Sequence, residues 1–546
     1  MCRFFGFIAA AAIAACSSTD SAPDTGPVAG SSGSGGSGSI AGGAGGAGGS
    51  AGSVTGGSGG QIPQGGSGGQ AAAGSGGVAG AAGASGAAGS PGTAGSAGGA
   101  GGASGAGGGA GSGGSSGAGG GVADGGADVV DAKADAPGAP DAARDQNAAD
   151  GGQATGVKGR LFVGYQGWFF ATGDGSVRNM WTHWSKSGMP TPGNVNFEVF
   201  PDIREYTKLY ATGLSDFPNG TQARLFSSYN PETVNKHFEW MRDYGIAGAA
   251  LQRFGADSKD TAWKEGRDKV AVNVRDAAET FGRSFYVMYD ISGGGTGWVD
   301  AVKTDYIATI VGSMRLTASP AYAKENGKPV VCIWGIGFTD RPGTTDEALS
   351  LIQWFKGQGV YLIGGVPTRW RTSTDDSKPG FLDVYKSFDM ISPWLVGRFG
   401  NTAGVDSFKT SVWQPDVDFC AQNGIAYQPV MFPGFAWTNL KGLDATKRNE
   451  IPRMHGDFLW RQAYQWKSLG VSTAYVAMFD EYDEGTAIAK AAENSTMIPT
   501  NQYFLPLDAD GVAVSADFYL RLVGDVGRML GGEIAATAAH PTAHAK

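Results

Sequence analysis

The chain has 546 residues, a formal net charge of −9 at pH 7 and a pI of about 5.2. Its lysines and arginines form no run or stripe, which argues against a nucleic-acid partner. More than half of the 94 glycines precede Lys158, whereas all 14 tryptophans lie between Trp168 and Trp466. The sequence therefore predicts one globular region, residues 158–532, preceded by a long region that cannot form a hydrophobic core.

The first residues have the pattern of an export signal. One charged residue, Arg3, precedes an apolar run at 4–15 that is too short to span a bilayer. Small residues and Cys16 end the run, which resembles a bacterial lipobox, where the cysteine is lipid-modified. We expect residues 1–16 to be a lipoprotein signal peptide with lipidation at Cys16, giving an outer-membrane or cell-surface lipoprotein. Ordinary secretion after cleavage near the alanines is the alternative.

Residues 17–157 consist mainly of glycine, alanine and serine and contain almost no aromatic side chains. With so little apolar surface to bury, this segment cannot offset the entropy lost on ordering, and we expect a disordered linker. Its GGAGG and SGG strings are a compositional bias and not a structural repeat. Residues 533–546 are expected to form a loose tail.

The globular region alternates apolar runs with segments of helical period. Strands are predicted at 161–168, 246–254, 284–291, 329–336, 360–366, 390–396, 426–432 and 473–479. Helices are predicted at 231–244, 261–281, 345–358, 405–423, 453–469 and 517–530, most of them ending at a glycine. Eight strands alternating with helices predict an α/β fold with a parallel sheet, and their number and spacing fit a single (β/α)8 TIM-type barrel. A doubly wound open sheet is the competing topology.

Four carboxylates directly follow the last predicted strand. They are Asp480, Glu481, Asp483 and Glu484, in the sequence DEYDEG at 480–485. In a barrel of this type the loops after the strands build the active site. Carboxylates this close cannot all ionise at low cost, so at least one pKa should rise. A protonated carboxyl beside an ionised one is what glycoside hydrolysis requires. A solvated acidic loop and a calcium site are the structural alternatives.

Aromatic and polar side chains are predicted at the ends of several other strands. Aromatic rings at such positions could stack on sugar faces, and charged groups could hydrogen-bond sugar hydroxyls. The predicted substrate-binding residues are Trp168, Arg253, Asp290, Trp334, Trp394, Arg398, Trp437, Tyr482 and Asp483. Any single aromatic residue of this set could instead pack the barrel mouth. His183 is a further candidate sugar contact, with a structural role as the alternative.

The sequence contains no framework for a metal ion or a cofactor. The histidines His183, His237 and His455 are far apart and lack ligand spacing. No phosphate-binding loop, dinucleotide fingerprint or nucleophile elbow follows a predicted strand. We expect Cys332 and Cys420 to be buried free thiols, with a disulfide between them as the alternative. Neither a cofactor nor a metal ion is therefore expected.

Several motifs resemble glycoside hydrolase families 99 and 71, and their order is closest to family 99. The segment DEYDEGT at 480–486 is similar to the Asn-Glu-Trp-His-Glu-Gly-Thr sequence after the last barrel strand of family 99. Three further segments resemble family 99 motifs in the same order: FPDIREY at 200–206, HFEWMRDYGI at 237–246 and PVMFPG at 429–434. Family 99 enzymes cleave internal α-mannosidic linkages, and family 71 enzymes cleave α-1,3-glucan.

The resemblance implies a glycoside hydrolase that acts on an α-linked polysaccharide or glycan. Glu484 would be the general acid/base that protonates the leaving oxygen. Glu481 would be its partner, assisting the 2-hydroxyl of the sugar or the anomeric centre. Asp480, Asp483 and Asp290 stand where family 99 has Asn, His and Glu, which leaves the sugar unassigned. The expected partners are a carbohydrate and, through the lipid anchor alone, a membrane; a non-catalytic surface glycan-binding lipoprotein on the same barrel is the alternative.

Overall fold

The structure is a computed structural model that describes residues 156–256 and 258–545. The predicted signal peptide with Cys16 lies outside the described residues. The predicted linker also lies outside them, except for residues 156 and 157.

Strands and helices alternate along the described part of the chain. The strands are β1 (Leu161–Tyr165), β2 (Tyr210–Ala211), β3 (Arg224–Leu225), β4 (Gly248–Phe254), β5 (Ser284–Asp290), β6 (Lys324–Glu325), β7 (Lys328–Trp334), β8 (Tyr361–Val366), β9 (Met390–Pro393), β10 (Ala426–Tyr427), β11 (Val430–Met431) and β12 (Ala474–Val476). The helices are α1 (Pro231–Asp243), α2 (Thr261–Phe281), α3 (Trp298–Thr304), α4 (Thr345–Gly357), α5 (Leu382–Lys386), α6 (Thr402–Phe408), α7 (Gln414–Gln422), α8 (Thr438–Lys441), α9 (Asp457–Ser468) and α10 (Phe518–Gly531).

The parallel strands form a closed ring in the order β10-β9-β8-β7-β5-β4-β1-β12-β11. The ring closes because β10 and β11 are two halves of one strand, of which β10 pairs with β9 and β11 pairs with β12. Between the halves, Gln428 donates its amide hydrogen to the Ile391 carbonyl at 2.9 Å, and the Pro429 carbonyl accepts from Tyr475 at 3.1 Å. Counted in this way, eight parallel strands close the sheet. The predicted (β/α)8 barrel is confirmed, and each predicted strand is present.

The barrel strands are apolar on both faces, because one face lines the barrel interior and the other packs against the helices. All residues of β1 and β8 are buried. Inside the barrel the backbone at Gly164 lies against Tyr475, since a Cβ at this position would be 2.1 Å from the tyrosine hydroxyl oxygen. That hydroxyl accepts a hydrogen bond from Gln252 at 2.9 Å. These contacts fill the barrel beneath its C-terminal end.

Some helices differ from the sequence expectation. Helix α3 continues into a π-helical segment, Asp305–Ser313, and neither was predicted. The start of α3 gives no helix signal in the sequence, because it follows the glycine-rich residues 293–297 and has no side-chain cap. Helices α5 and α8 are too short for a helical period to show in the sequence. The predicted helix 405–423 is present as α6, a π-helical segment at Lys409–Trp413 and α7.

Residues 533–545 do not form the loose tail that was predicted for 533–546. Trp460 of α9 donates its indole N–H to the carbonyl of Thr537 at 2.8 Å, and Arg521 of α10 donates to the carbonyl of Ala543 at 2.6 Å. The prediction failed because the tail has few large apolar side chains, whereas its contacts are made by main-chain carbonyls and by the side chains of Thr542, His540 and His544.

No helix within residues 156–256 and 258–545 has the length and hydropathy needed to cross a bilayer. In the same part of the chain, no three His, Cys, Asp or Glu side chains are arranged to hold a metal ion. Cys332 and Cys420 are buried and unbridged, which confirms the prediction of two free thiols. Burial raises the pKa of the Cys420 thiol to about 12, so this group is protonated at neutral pH.

Candidate active site

The acidic segment 480–487 folds into a tight loop directly after β12. The amide of Thr486 donates to the carbonyl of Glu481 at 3.2 Å, which closes the turn. Gly485 has a left-handed backbone with φ of 65°, and a Cβ there would lie 2.8 Å from the backbone nitrogen of Ala436. The turn therefore requires glycine at this position, and it fixes the directions of the carboxylates around it.

Arg453, which precedes α9, holds the loop from outside. Its Nη2 donates to the carbonyl oxygens of Gly485 at 2.9 Å and Ala487 at 2.7 Å. The guanidinium carbon lies 4.6 Å from the centre of the Tyr519 ring. Because Arg453 bonds only main-chain atoms of the loop, the acidic side chains are left to make other contacts.

Asp480 ties the loop to β1. Its two carboxyl oxygens accept hydrogen bonds from the amides of Gln166 at 2.7 Å and Gly167 at 2.9 Å. The side chain is fully buried, and burial raises its pKa to about 7, although the two amide bonds favour the ionised form. Asp480 is therefore a structural bridge between the ends of the first and last barrel strands.

Glu481 is held through both of its carboxyl oxygens. Gln166 donates from Nε2 to Oε1 at 2.7 Å, and Thr486 donates from Oγ1 to Oε2 at 2.6 Å. Burial and then the charges of Glu484 and Asp483 raise the pKa of Glu481 well above its usual range. The two donors act in the opposite direction, because they stabilise the ionised form.

Glu484 is partly exposed. Its main chain is held by a hydrogen bond of 2.9 Å that its carbonyl accepts from the amide of Ala436. Its carboxyl group hydrogen-bonds to no other residue that the structure describes. Burial and the charge of Asp483 raise the pKa of Glu484, whereas Lys441 and His183 lower it by smaller amounts. Unlike Glu481, this carboxyl group has no donor that favours its ionised form.

Asp483 pairs with His183, which lies in the segment between β1 and β2. Oδ2 of Asp483 and Nδ1 of His183 are 2.9 Å apart, and the two side chains are 3% and 9% exposed. The His183 ring is stacked on the indole of Trp168, with ring centres 3.8 Å apart and an angle of 4° between the planes. Asp483 was predicted to bind substrate; the structure instead places it behind the cavity wall, turned toward His183.

An open cavity of about 660 Å³, counting the solvent at its mouth, lies at the C-terminal ends of the barrel strands. The residues that line it are Gln166, Trp168, Gln252, Phe254, Met288, Asp290, Ser292, Trp334, Arg341, Trp394, Val396, Arg398, Met478, Glu481 and Glu484. Seven of them were predicted as site residues: Trp168, Asp290, Trp334, Trp394, Arg398, Glu481 and Glu484.

Indoles and guanidinium groups form the wall that comes from β7 and β9. In a ring of eight strands, β7 lies across from β12, so Trp334 faces the acidic loop from the far side. Its ring centre is 5.2 Å from that of Trp394, at an interplanar angle of 75°, and 5.3 Å from the guanidinium carbon of Arg341. Arg398 forms an ion pair with Asp376. This wall combines apolar ring faces with hydrogen-bond donors.

Asp290, the last residue of β5, is a third carboxyl group in the cavity wall. Its Oδ1 accepts from the amide of Ser292 at 2.8 Å. Burial raises its pKa to about 6, while the hydrogen bonds from Ser292 and the charge of Arg341 lower it. Asp290 can therefore change its protonation state near neutral pH.

Arg253 was predicted to bind substrate, but the structure places it outside the cavity wall. Its guanidinium group is buried, with Nη2 at 2.8 Å from Asp268 and 2.5 Å from Asp305. Asp305 begins the π-helical segment that the sequence analysis missed, so the partner of Arg253 could not be foreseen. Its contacts are those of a buried ion pair, so a structural role is the alternative to the predicted substrate binding.

Tyr482 and Trp437, which were also predicted to bind substrate, lie outside the cavity wall. The Tyr482 ring is fully buried in an aromatic cluster with Phe169, Trp184 and Phe226. Its hydroxyl donates to a main-chain carbonyl at 3.2 Å. Trp437 is partly exposed, and its indole N–H donates to Glu450 at 2.8 Å. Tyr482 turns inward because the tight loop sends the two glutamates, and not the tyrosine between them, toward the cavity.

Several cavity residues were not predicted from the sequence. Gln166 follows β1 directly, and Gln252 is a polar interruption in the otherwise apolar start of β4. Both positions could have been recognised from the strand pattern alone. Arg341 lies beyond the end of β7 in a loop, where no periodic signal exists.

No protein-family model and no curated protein matches the chain. Among solved structures, the family 99 endo-α-mannosidase from Bacteroides thetaiotaomicron in complex with BIS-TRIS-propane matches with a TM-score of 0.49 and 16% identity, over 70% of this chain and 100% of that chain. A second structure of that enzyme matches with a TM-score of 0.47 and 16% identity, over 69% of this chain and 100% of that chain. A glycoside hydrolase-like protein matches with a TM-score of 0.41 and 12% identity, over 63% of this chain and 98% of that chain. Identities this low do not assign the chain to a family.

Proposed function

We propose that the protein is a glycoside hydrolase that cleaves an α-linked polysaccharide or glycan by carboxylate acid–base catalysis. The observation that carries the proposal is that Glu481 and Glu484, both on one fixed loop, line the same cavity as three indole rings. Paired carboxyl groups with different proton affinities perform glycoside hydrolysis, and aromatic faces bind sugar rings. The α-linkage rests on the motifs that resemble families 99 and 71.

Hydrogen bonding divides the roles of the two glutamates. Glu481 accepts a hydrogen bond on each carboxyl oxygen, which favours its ionised form. Glu484 has no such donor, so the proton shared in the site belongs on Glu484. Glu484 is then the general acid that protonates the leaving oxygen. Glu481 is the base, acting on the 2-hydroxyl of the sugar or at the anomeric centre.

Substrate binding is assigned to the indole rings and polar groups of the cavity wall. Trp168, Trp334 and Trp394 line the cavity, where the faces of their indole rings can stack on sugar rings. Asp290 can accept from hydroxyls, and Arg398 can donate to them. A carbohydrate fits this mixture of ring faces and directional polar groups better than a purely apolar ligand does.

The proposal is tested by incubating the whole chain with a panel of α-linked polysaccharides and measuring released reducing ends. Both E484Q and E481Q should lower kcat/KM by about 10²–10⁴-fold, the usual contribution of a general acid or base. The matched control is E533Q, which removes the same charge at an exposed position beyond α10.

Wild-type rates in either single variant, with the same melting temperature, would remove that glutamate from the catalytic pair. Tight binding of an oligosaccharide by the wild type, without product after long incubation, would instead support the alternative of non-catalytic glycan binding.

We also propose that the protein is exported and anchored through Cys16. The basis is the apolar run at 4–15 that ends in small residues and a cysteine. Cells that express the full chain should incorporate labelled palmitate into it, and the C16A variant should incorporate none. Equal labelling of the two chains would exclude this anchor.

A further inference from the structure

The pair formed by His183 and Asp483 is the feature next to the cavity that the proposed catalytic roles do not use. Neither side chain lines the cavity wall, and both are more than nine-tenths buried. Their hydrogen bond of 2.9 Å joins the acidic loop to the segment between β1 and β2. Asp483 lies between Glu481 and Glu484 in the sequence, so its charge acts on both glutamates.

A buried carboxylate in this position needs a positive partner. An unpaired ionised carboxylate is costly to bury, and it would also repel the two glutamates on either side of it. His183 Nδ1 is the hydrogen-bond partner of Oδ2, whereas Oδ1 is buried without a partner among the residues described. The imidazole therefore provides the contact through which the charge of Asp483 can be balanced.

The stacking of His183 on Trp168 points to the same charge state. The planes of the two rings are nearly parallel and their centres are 3.8 Å apart, so the imidazole lies over the face of the indole. The face of an indole attracts a cation, and this attraction grows when water is excluded. His183 also has a positive φ of 60°, a conformation in which histidine, asparagine and aspartate are enriched among the non-glycine residues.

We propose that His183 carries the positive charge of a buried ion pair with Asp483, and that this pair sets the proton affinity of Glu484 and holds Trp168 in the cavity wall. His183 is then a positioning residue that acts through Asp483 and Trp168. The consequence for catalysis rests on the proposed function, whereas the charge state of His183 is a property of the protein whatever its activity.

The charged groups that face Glu484 come from three elements. Its own loop contributes Glu481 and Asp483, the segment after β1 contributes His183, and α8 contributes Lys441. Asp480 also lies in the loop, where two amides hold it. With His183 charged, Asp483 is neutralised locally, and Glu484 is left with Glu481 and Lys441 as its main charged neighbours.

The first test measures the charge of His183 directly. The chain has five histidines, so ¹⁵N-histidine labelling gives five pairs of imidazole nitrogen resonances. The pair that is absent from the spectrum of H183N belongs to His183. Asparagine suits this test because it tolerates the left-handed backbone and keeps a neutral donor. In the wild type, His183 should stay protonated to a pH about one unit or more higher than in D483N.

An identical titration of His183 in the wild type and D483N, or a neutral ring at every pH at which the protein is folded, would overturn the proposal. This measurement needs no substrate, so it decides the matter even if the chain hydrolyses no glycan.

The second test uses the pH profile of kcat/KM for an active substrate. The basic limb reports the loss of the proton from the general acid. H183N leaves Asp483 uncompensated and should move this limb to higher pH by about one unit. D483N removes the negative charge and should move it to lower pH, and the double variant should return close to the wild type. If the basic limb stays in place in both variants while the melting temperature changes, the pair of His183 and Asp483 is purely structural and the proposal is wrong. If H183N does not fold, D483N alone still tests whether the limb moves to lower pH.

Discussion

Two buried groups of charged side chains lie at strand ends of this barrel, and they differ in charge balance. In the first, Arg253 of β4 bonds Asp268 and Asp305, and the hydroxyl of Tyr289 donates to Asp305 at 2.9 Å. The charge of Arg267 acts on the same two carboxylates, so two cations face two anions. In the second, four carboxyl groups follow β12, with His183 as the hydrogen-bonded histidine and Lys441 as a nearby cation.

The pKa values respond in opposite directions. Burial alone would raise the pKa of Asp305, but the hydrogen bonds and charge of Arg253 bring it below its ordinary value. Burial and mutual repulsion raise the pKa values of Glu481 and Glu484. A balanced cluster is locked in one charge state and serves structure, whereas an unbalanced one keeps a proton that it can transfer. Position at a strand end does not separate the two cases, but charge balance does.

The largest expected effect comes from removing Arg253, the cation that hydrogen-bonds both carboxylates of the balanced cluster. R253M leaves Asp305 and Asp268 without their buried partner, so the free energy of unfolding should fall by about 3–5 kcal/mol. Denaturant unfolding measures this loss. The matched control is R224M, because Arg224 is exposed, and it should change stability by less than about 0.5 kcal/mol.

A stable R253M variant with weakened activity would contradict the comparison. It would mean that Arg253 serves the substrate, as the sequence suggested, and that its ion pairs add little to stability.

A smaller effect is expected from the one carboxylate of the acidic loop that behaves structurally. D480A leaves the buried amides of Gln166 and Gly167 without their acceptor, which should lower the free energy of unfolding by about 1–3 kcal/mol. E484Q should cost much less at neutral pH, because no donor is left unpaired. If D480A proves as stable as E484Q, the division of roles within the loop is wrong.

The sequence was sufficient for the barrel and for the position of the candidate site. Most of the barrel strands are apolar runs buried on both faces, so length and bounding glycines identified them. Trp168, Trp334 and Trp394 were found because each directly follows or ends such a run. The same reasoning placed Glu481 and Glu484 at the mouth of the barrel, because they follow the last strand.

What the sequence could not show were the contacts between distant residues. Arg253 and Asp305 pair across 52 positions, and Asp305 lies in a π-helical segment without a sequence signal. His183 and Asp483 are 300 positions apart. The direction of Tyr482 is set by the turn at Gly485, and periodicity has no meaning in a turn of this kind. Long-range pairing and loop geometry, and not strand position, decided which predicted residues face the cavity.

The smallest expected effect concerns the pH dependence of stability, and it has opposite signs in the two clusters. Glu484 has a raised pKa, so the folded state binds more protons than the unfolded state from its ordinary value of 4.5 upward. Its contribution to the free energy of unfolding therefore falls as the pH rises through that window. E484Q removes this term, so its stability relative to the wild type should increase from about pH 5 to about pH 8.

Asp305 supplies the opposite sign. Its pKa is lowered, so its contribution is present above the ordinary value of 3.8 and is lost as the pH falls through the folded value. D305N should therefore be most destabilised at neutral pH and approach the wild type in acid. Urea unfolding at a series of pH values measures both trends, with E533Q as a matched control that should run parallel to the wild type. Parallel curves for E484Q as well would mean that Glu484 carries no excess proton affinity, and the contrast between the two clusters would be lost.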